Sequence, residues 1–357
     1  MCKDGVRARG VKSNFSRYKT KHKMSGNVTS KNCAGRVCED YILINKDTGL
    51  FAVADGHMAE QTPDDHGGKI AVFACKEVNK YMETCPNDPE EIKKELPALF
   101  KKINKDYKQY SISGGCTFAM AKFGVFSGLK YLLTASLGDT EIFLIGPARG
   151  DVSVRKLSTT HGPDEDFEYP RIKENGGECV YNTSDGSYLP IFHPDGTKIE
   201  YPSFRLEMNK AYEEYKATGD KDEKKMKKKL YEAKVAEYNA SKDSKIVIST
   251  VRGDRGCYIE KDGKRLGVSR SFGDYSYGDC ISQEPSVEIV WLVDEVEVFI
   301  ATDGIVDCYK YDELAQIVAE TKDDAELAAK FSEKSKSLFG KQHDDQAFVR
   351  CTFPVCP

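Results

Sequence analysis

Between residues 41 and 54 the chain reads YILINKDTGLFAVA, two apolar runs separated by Lys46-Asp47-Thr48-Gly49. This pattern predicts a strand, a turn and a returning strand. Over 68–85 the period changes: Ile70, Phe73, Ala74, Val78, Tyr81 and Met82 recur at helical spacing, so a helix is expected there. A second helix is expected over 88–110. CTFAMAKFGV (116–125) and KYLLTASLGDTEIFLIG (130–146) read as strands, and VEIVWLVDEVEVFIATDG (287–304) as strand, turn and strand. Helical patterns follow at 312–320 and 324–340, and DQAFVRCTF (345–353) closes with a strand. Strands, helices, many strands, helices and a last strand fit an α+β fold better than a regular βα alternation.

Two regions stand outside this pattern. Residues 1–30 are basic, contain Gly and Ser, and are expected to form an extended N-terminal lead-in with a weak basic contact to membrane or partner. Their first 26 residues lack the apolar core of a secretory signal. Residues 207–245 are highly charged and rich in helix formers, and predict a solvated helical pair interrupted at Thr218-Gly219-Asp220. The chain ends shortly after its last strand, so no C-terminal regulatory domain is expected.

Composition narrows the classes. The 357 residues include 53 basic and 57 acidic side chains, for a formal charge of −4. This balance argues against nucleic acid, which calls for a clustered basic face. No apolar run is long enough for a transmembrane segment. The 12 cysteines are scattered without a Cys-x-x-Cys pair, which favours reduced thiols in a cytoplasmic or nuclear protein over disulfides or structural zinc.

The chemistry-bearing residues are carboxylates. Asp55 (AVADGH), Asp139 (ASLGDTEI), Asp303 (FIATDGIVD) and Asp344 (QHDDQAFV) all flank apolar segments, and Glu39 and Asp40 begin another strand. Each Asp-Gly alone reads as a turn. Together, carboxylates gathered by one sheet core are what hard divalent cations such as Mg²⁺ and Mn²⁺ take as ligands.

The ordered set GRVCEDY (35–41), FAVADGH (51–57), GGCTFAMA (114–121), TASLGDTEIFL (134–144), EYPRIKENGGECV (168–180), GVSRSFGDY (267–275), FIATDGIVD (299–307) and HDDQAFV (343–349) resembles the metal-dependent protein phosphatase 2C family of Ser/Thr phosphatases. The resemblance implies a four-layer αββα sandwich, two antiparallel sheets flanked by helices. It assigns the catalytic domain to 31–357, beyond the N-terminal extension 1–30. It implies a phosphoprotein substrate and two Mg²⁺ or Mn²⁺ ions per site, with a third in some relatives. Carried over by motif, Asp55 bridges the two metals and the Gly56 carbonyl binds one. Asp303 and Asp344 bind the second, Glu39 acts through a water, and Asp139 with Asp307 matches the third site. Attack by a metal-bridging hydroxide is implied, with His57 as general acid and Arg36 clamping the phosphate. Asp274 falls in a family motif, where a structural role is at least as apt. Cys116 is followed by a strand, with no Arg at the spacing of a Cys-based phosphatase loop, and reads as core.

The pattern is departed from in four places. Asp-Gly-His is followed by MAEQTPDDHGG, so about nine residues are inserted and Asp64, Asp65 and His66 are read as a solvated loop. Arg36 lies three residues before Glu39, where four is commoner in the family. Asp345 stands where relatives mostly have Asn, leaving the choice of ligand between Asp344 and Asp345 open. Residues 181–255 form an insertion in the flap region beside the cleft, either docking a partner or substrate or simply solvated. The implied activity is that of a monomeric phosphatase. Its rival is a catalytically weak or inactive pseudophosphatase that binds proteins through this insertion.

Overall fold

The computed structural model describes residues 23–29, 38–57, 67–110, 114–148, 151–182, 188–199, 225–229, 256–339 and 344–353. Arg36, Asp64, Asp65, His66 and most of the 181–255 insertion lie outside the described residues, as does the helical pair expected over 207–245 apart from the helical 225–229.

The hairpin expected first in the chain is formed by β2 (Tyr41–Asn45) and β3 (Leu50–His57), paired antiparallel. Gly49 closes its turn at φ +70°, a backbone angle that costs glycine little. Two helices follow, α1 (Gly68–Met82) and α2 (Pro89–Tyr107). The start of α2 is set by Asp88, whose carboxylate accepts from the Glu90 amide, and by Pro89 at the first helical position. Strands β4 (Gly115–Phe126), β5 (Leu129–Leu137), β6 (Glu141–Ala148) and β7 (Asp151–Lys156) come next. Late in the chain lie β13 (Ser286–Leu292), β14 (Val296–Ala301), the helices α4 (Asp303–Val306), α5 (Tyr311–Glu320) and α6 (Asp324–Phe339), and β15 (Gln346–Phe353).

These elements form an α+β fold with two antiparallel sheets packed face to face. One sheet has the order β13-β5-β4-β3-β2, with the short β12 (Phe272–Gly273) paired on β4. The other runs β1-β15-β14-β6-β7, where β1 is Lys23–Thr29. Between them lie Phe51, Val53, Ala119, Ala121 and Phe123 from one face and Ile142, Val298, Ile300, Val349 and Phe353 from the other. On β3 the alternate residues Leu50, Ala52 and Ala54 face away from the partner sheet, into a core with Ile70, Ala74 and Val78 of α1 and Phe100 of α2. A third core places Phe143, Phe299 and Phe348 against α4–α6. The four layers are therefore helix, sheet, sheet and helix.

Three features differ from the sequence reading. Lys23–Thr29, expected within the extended lead-in, pairs along its whole length with β15 as an edge strand. The alternation of Met24, Gly26 and Val28 carried that signal, masked by basic neighbours. The late strands β13 and β14, though neighbours in sequence, enter different sheets: β13 pairs with β5, β14 with β6 and β15. A small additional sheet also stands apart from the sandwich. It has the order β11-β10-β8-β9, from β8 (Glu178–Asn182), β9 (Tyr188–Pro190), β10 (Cys257–Lys261) and β11 (Lys264–Leu266), and packs with α3 (Tyr169–Glu174).

The nine cysteines among the described residues are all free thiols. Cys116 is fully buried, and burial pushes its thiol well above the usual range, so it serves as core. No helix among the described residues is long and apolar enough to cross a membrane.

Candidate active site

The Asp55-Gly56-His57 triplet is strand, not the turn that an Asp-Gly pair suggests. Asp55 lies opposite Thr117, Gly56 opposite Cys116 and His57 opposite Gly115, so β3 stays in register with β4 to its last residue. The strand can continue because the neighbouring backbone closes around its glycine. A Cβ on Gly56 would lie 2.5 Å from the Gly67 carbonyl carbon and 2.6 Å from the Glu39 carbonyl oxygen. Gly67 needs its own small size, since a Cβ there would meet the His57 amide nitrogen at 2.3 Å. The chain after the inserted residues thus returns to the spot it left. There the Gly67 N–H donates to Glu39 Oε1 at 2.6 Å.

Carboxylates converge on this end of the sandwich from four directions. Glu39 and Asp40 lead into β2, and both are buried. Asp303 opens α4 directly after β14, Asp344 and Asp345 precede β15, and buried Asp139 lies between β5 and β6. Asp307 follows one turn beyond Asp303, its amide donating to the Asp303 carbonyl at 2.9 Å. Gly304 permits the approach of the last pair: a Cβ there would fall 2.0 Å from the Asp345 carbonyl oxygen and 3.3 Å from Asp344 Cβ. Asp345 Oδ2 in turn accepts from the Glu39 amide at 3.3 Å. Thr302 ties two walls together, donating from Oγ1 to Asp40 Oδ2 at 3.3 Å while accepting from the Ala347 amide at 3.0 Å.

The electrostatics show how crowded the charges are. Burial, and then the charges of Asp40, Asp303, Asp344 and Asp139, hold the Asp55 carboxyl well above the usual range. Asp40 is raised in the same way by burial and by Asp345, Asp303 and Asp344, against a hydrogen bond with Asp55 that works the other way. Five Asp residues from four strand ends therefore act on Asp55 or share its surroundings. Asp40 is not among the ligands implied by the family motifs, although it stands beside Glu39 at the start of an apolar run.

His57 occupies the rim. Its Nε2 is 2.7 Å from Asp274 Oδ2, with the imidazole about a quarter exposed and the Asp274 side chain nearly covered. Burial lowers the imidazole pKa, but the Asp274 charge and hydrogen bond, with Asp139 and Glu39, outweigh it and leave a net rise. Asp274 is the second residue whose closeness to the site was not expected.

The donor set fits hard divalent cations, because every converging side chain offers carboxylate oxygen. Among the described residues, no group of three or more His, Cys, Asp or Glu side chains is placed so that it could hold an ion as it stands.

The chain belongs to the protein phosphatase 2C family, whose profile matches residues 15–184 and 221–338. The match breaks inside the expected 181–255 insertion. In fold the chain is similar to a C. elegans sex determining protein, with a TM-score of 0.56 and 18% identity over 93% of this chain and 65% of that one. It is also similar to a serine-threonine phosphatase 2C from Toxoplasma gondii, with a TM-score of 0.54 and 15% identity over 93% and 95% of the two chains. A bacterial serine phosphatase aligns with a TM-score of 0.51 and 13% identity over 94% and 99%. No curated protein matches the sequence.

Proposed function

We propose that this protein hydrolyses phosphoserine and phosphothreonine in phosphoproteins with the help of two divalent cations, Mg²⁺ or Mn²⁺. The observation that carries this reading is the crowding of carboxylates around Asp55, with Glu39, Asp40 and Asp139 buried among them, in a chain of the protein phosphatase 2C family. Gathering several like charges is costly unless something positive offsets them. In this reading Asp55, the Gly56 carbonyl, Asp303 and Asp344 or Asp345 would hold the two ions, with Glu39 acting through a water and Asp40 supporting Asp55. Asp139 and Asp307 would hold a third, weaker ion. When bound, the cations lower the pKa of water and offset charge on the phosphoryl oxygens. His57 hands a proton to the departing Ser or Thr oxygen, a poor leaving group without one. Arg36, outside the described residues, is assigned the phosphate.

The test is phosphate release from a phosphoserine peptide. Release should stop with EDTA, return with Mn²⁺ or Mg²⁺, and be lost in Asp55→Asn. Turnover that survives chelation would exclude the reading. A catalytically weak or inactive protein-binding relative is the second reading, motivated by the 181–255 insertion, inside which the family profile breaks off. Partner binding through the 181–255 insertion, without turnover under saturating Mn²⁺, would select it.

A further inference from the structure

Asp274 stands at the N-cap of the 3₁₀ turn Tyr275–Cys280, where an Asp side chain ordinarily accepts from the first turn's amides. Here it makes no cap hydrogen bond. Its backbone adopts φ 50°, ψ 35°, a left-handed conformation uncommon for a residue with a Cβ, though Asp enters it more readily than most. The surroundings hold it there: its amide donates to the Gly114 carbonyl at 2.9 Å, and its carbonyl accepts from the Tyr277 amide at 3.0 Å.

This placement aims the carboxylate at His57. Ser271 Oγ donates to Asp274 Oδ2 at 2.5 Å, and His57 Nε2 meets the same oxygen at 2.7 Å. The carboxylate occupies space opened by Gly115, where a Cβ would sit 2.1 Å from Oδ2. Gly115 is paired to His57 on one side and to Gly273 on the other, so one glycine lets acid and imidazole meet across β4. A carboxylate oxygen can only accept, so Nε2 carries the hydrogen.

We propose that Asp274, anchored by Ser271, is a positioning residue. It fixes the His57 ring with Nε2–H engaged and leaves Nδ1 as the nitrogen that passes a proton to the leaving oxygen. The proposal rests on the phosphatase reading for the proton's destination, and on geometry alone for the ring's orientation.

Two measurements on the full chain with Mn²⁺ test it. The first compares p-nitrophenyl phosphate, whose phenolate leaves without help, with a phosphoserine peptide, whose alkoxide does not. In Asp274→Asn, kcat on the phosphoserine peptide should fall at least about tenfold further than on p-nitrophenyl phosphate, as expected of misaligned general acid catalysis. Ser271→Ala should show a smaller loss of the same selectivity. Equal losses on both substrates, or none, would overturn the proposal by reducing Asp274 to a structural residue. The second is ¹⁵N NMR of the His57 ring. Nε2 should be the protonated nitrogen of the neutral ring in the wild-type chain, and this preference should weaken in Asp274→Asn. A neutral ring protonated at Nδ1 would overturn the orientation even if the chain hydrolysed neither substrate. That lack of hydrolysis would itself count against the phosphatase reading only.

Discussion

Replacing His161 with asparagine should remove one defined part of the protein's acid sensitivity. His161 is fully buried beside the corner between β5 and β6. Its Nδ1 lies 3.1 Å from the Gly138 amide nitrogen and 3.2 Å from the Gly138 carbonyl oxygen, and its Nε2 is 2.8 Å from Ser286 Oγ. Protonating the ring would place a cation in the interior. Burial first, then the Arg270 guanidinium, with lesser contributions from Arg171 and Lys156, outweigh the Gly138 carbonyl and push the imidazole down from 6.5 to about 3. The unfolded chain therefore binds a proton below pH 6.5 that the folded chain refuses, and stability falls as pH drops from there toward 3. Each pH unit in that window costs about 1.4 kcal/mol, which makes the loss at pH 5 about 2 kcal/mol. Urea unfolding of wild type and His161→Asn at pH 7.5 and pH 5 checks this, since carboxylates common to both chains cancel. The variant will be less stable at neutral pH, but the gap should narrow by about 2 kcal/mol at pH 5. Parallel pH dependences would refute the assignment of a neutral, buried imidazole.

In chelator, the raised Asp40 and Asp55 carboxyls should make stability fall as pH rises past the ordinary carboxyl range. A folded pKa above the unfolded one contributes stability that is lost as pH climbs through the folded value. Thermal unfolding should show this decline in EDTA and its reversal by Mn²⁺; no response to Mn²⁺ at neutral pH would count against cation binding. Gly304→Ala should cost about 2 kcal/mol through overpacking and should also weaken the Mn²⁺-dependent rise in melting temperature, because the new Cβ would strike Asp345. Glu168→Gln should destabilise the junction between the small sheet and the sandwich by about 3 kcal/mol in denaturant titration. Glu168 is buried and paired with both Arg171 and Arg270, whose guanidiniums also bind the Ser269, Cys280 and Glu284 carbonyls.

What was legible in the sequence was what local pattern decides. The β2–β3 hairpin followed from two apolar runs around a Gly-ended turn, and α1 from apolar spacing that became a buried stripe of Ile70, Ala74 and Val78. Sheet membership was not legible, because nothing in Val293-Asp294-Glu295 tells β13 and β14 to part. The acidic residues at strand ends were visible as a set. Their convergence depends on long-range register, as in the Ala301 to Phe348 pairing that brings Asp303 beside Asp344 and Asp345. Asp274 was least legible of all, since its left-handed backbone and its Gly115 neighbour belong to different segments of chain.

The strand register also ties the core to the site. Along β3 the period of two sends Phe51 and Val53 between the sheets, and the same alternation carries Asp55 inward at the strand's end. Gly56 falls on the opposite face, where Glu39 and Gly67 crowd it. A slip of one residue would exchange the two. It would bury a glycine among the carboxylates and drive Asp55 into the apolar layer against α1. The apolar residues that stabilise the sandwich thus also choose which side chain reaches the acidic cluster. Swapping Phe51 and Val53 for other apolar residues of similar volume should therefore leave the site intact, whereas inserting one residue into the Lys46–Gly49 turn should leave it intact only if β3 keeps its pairing with β4.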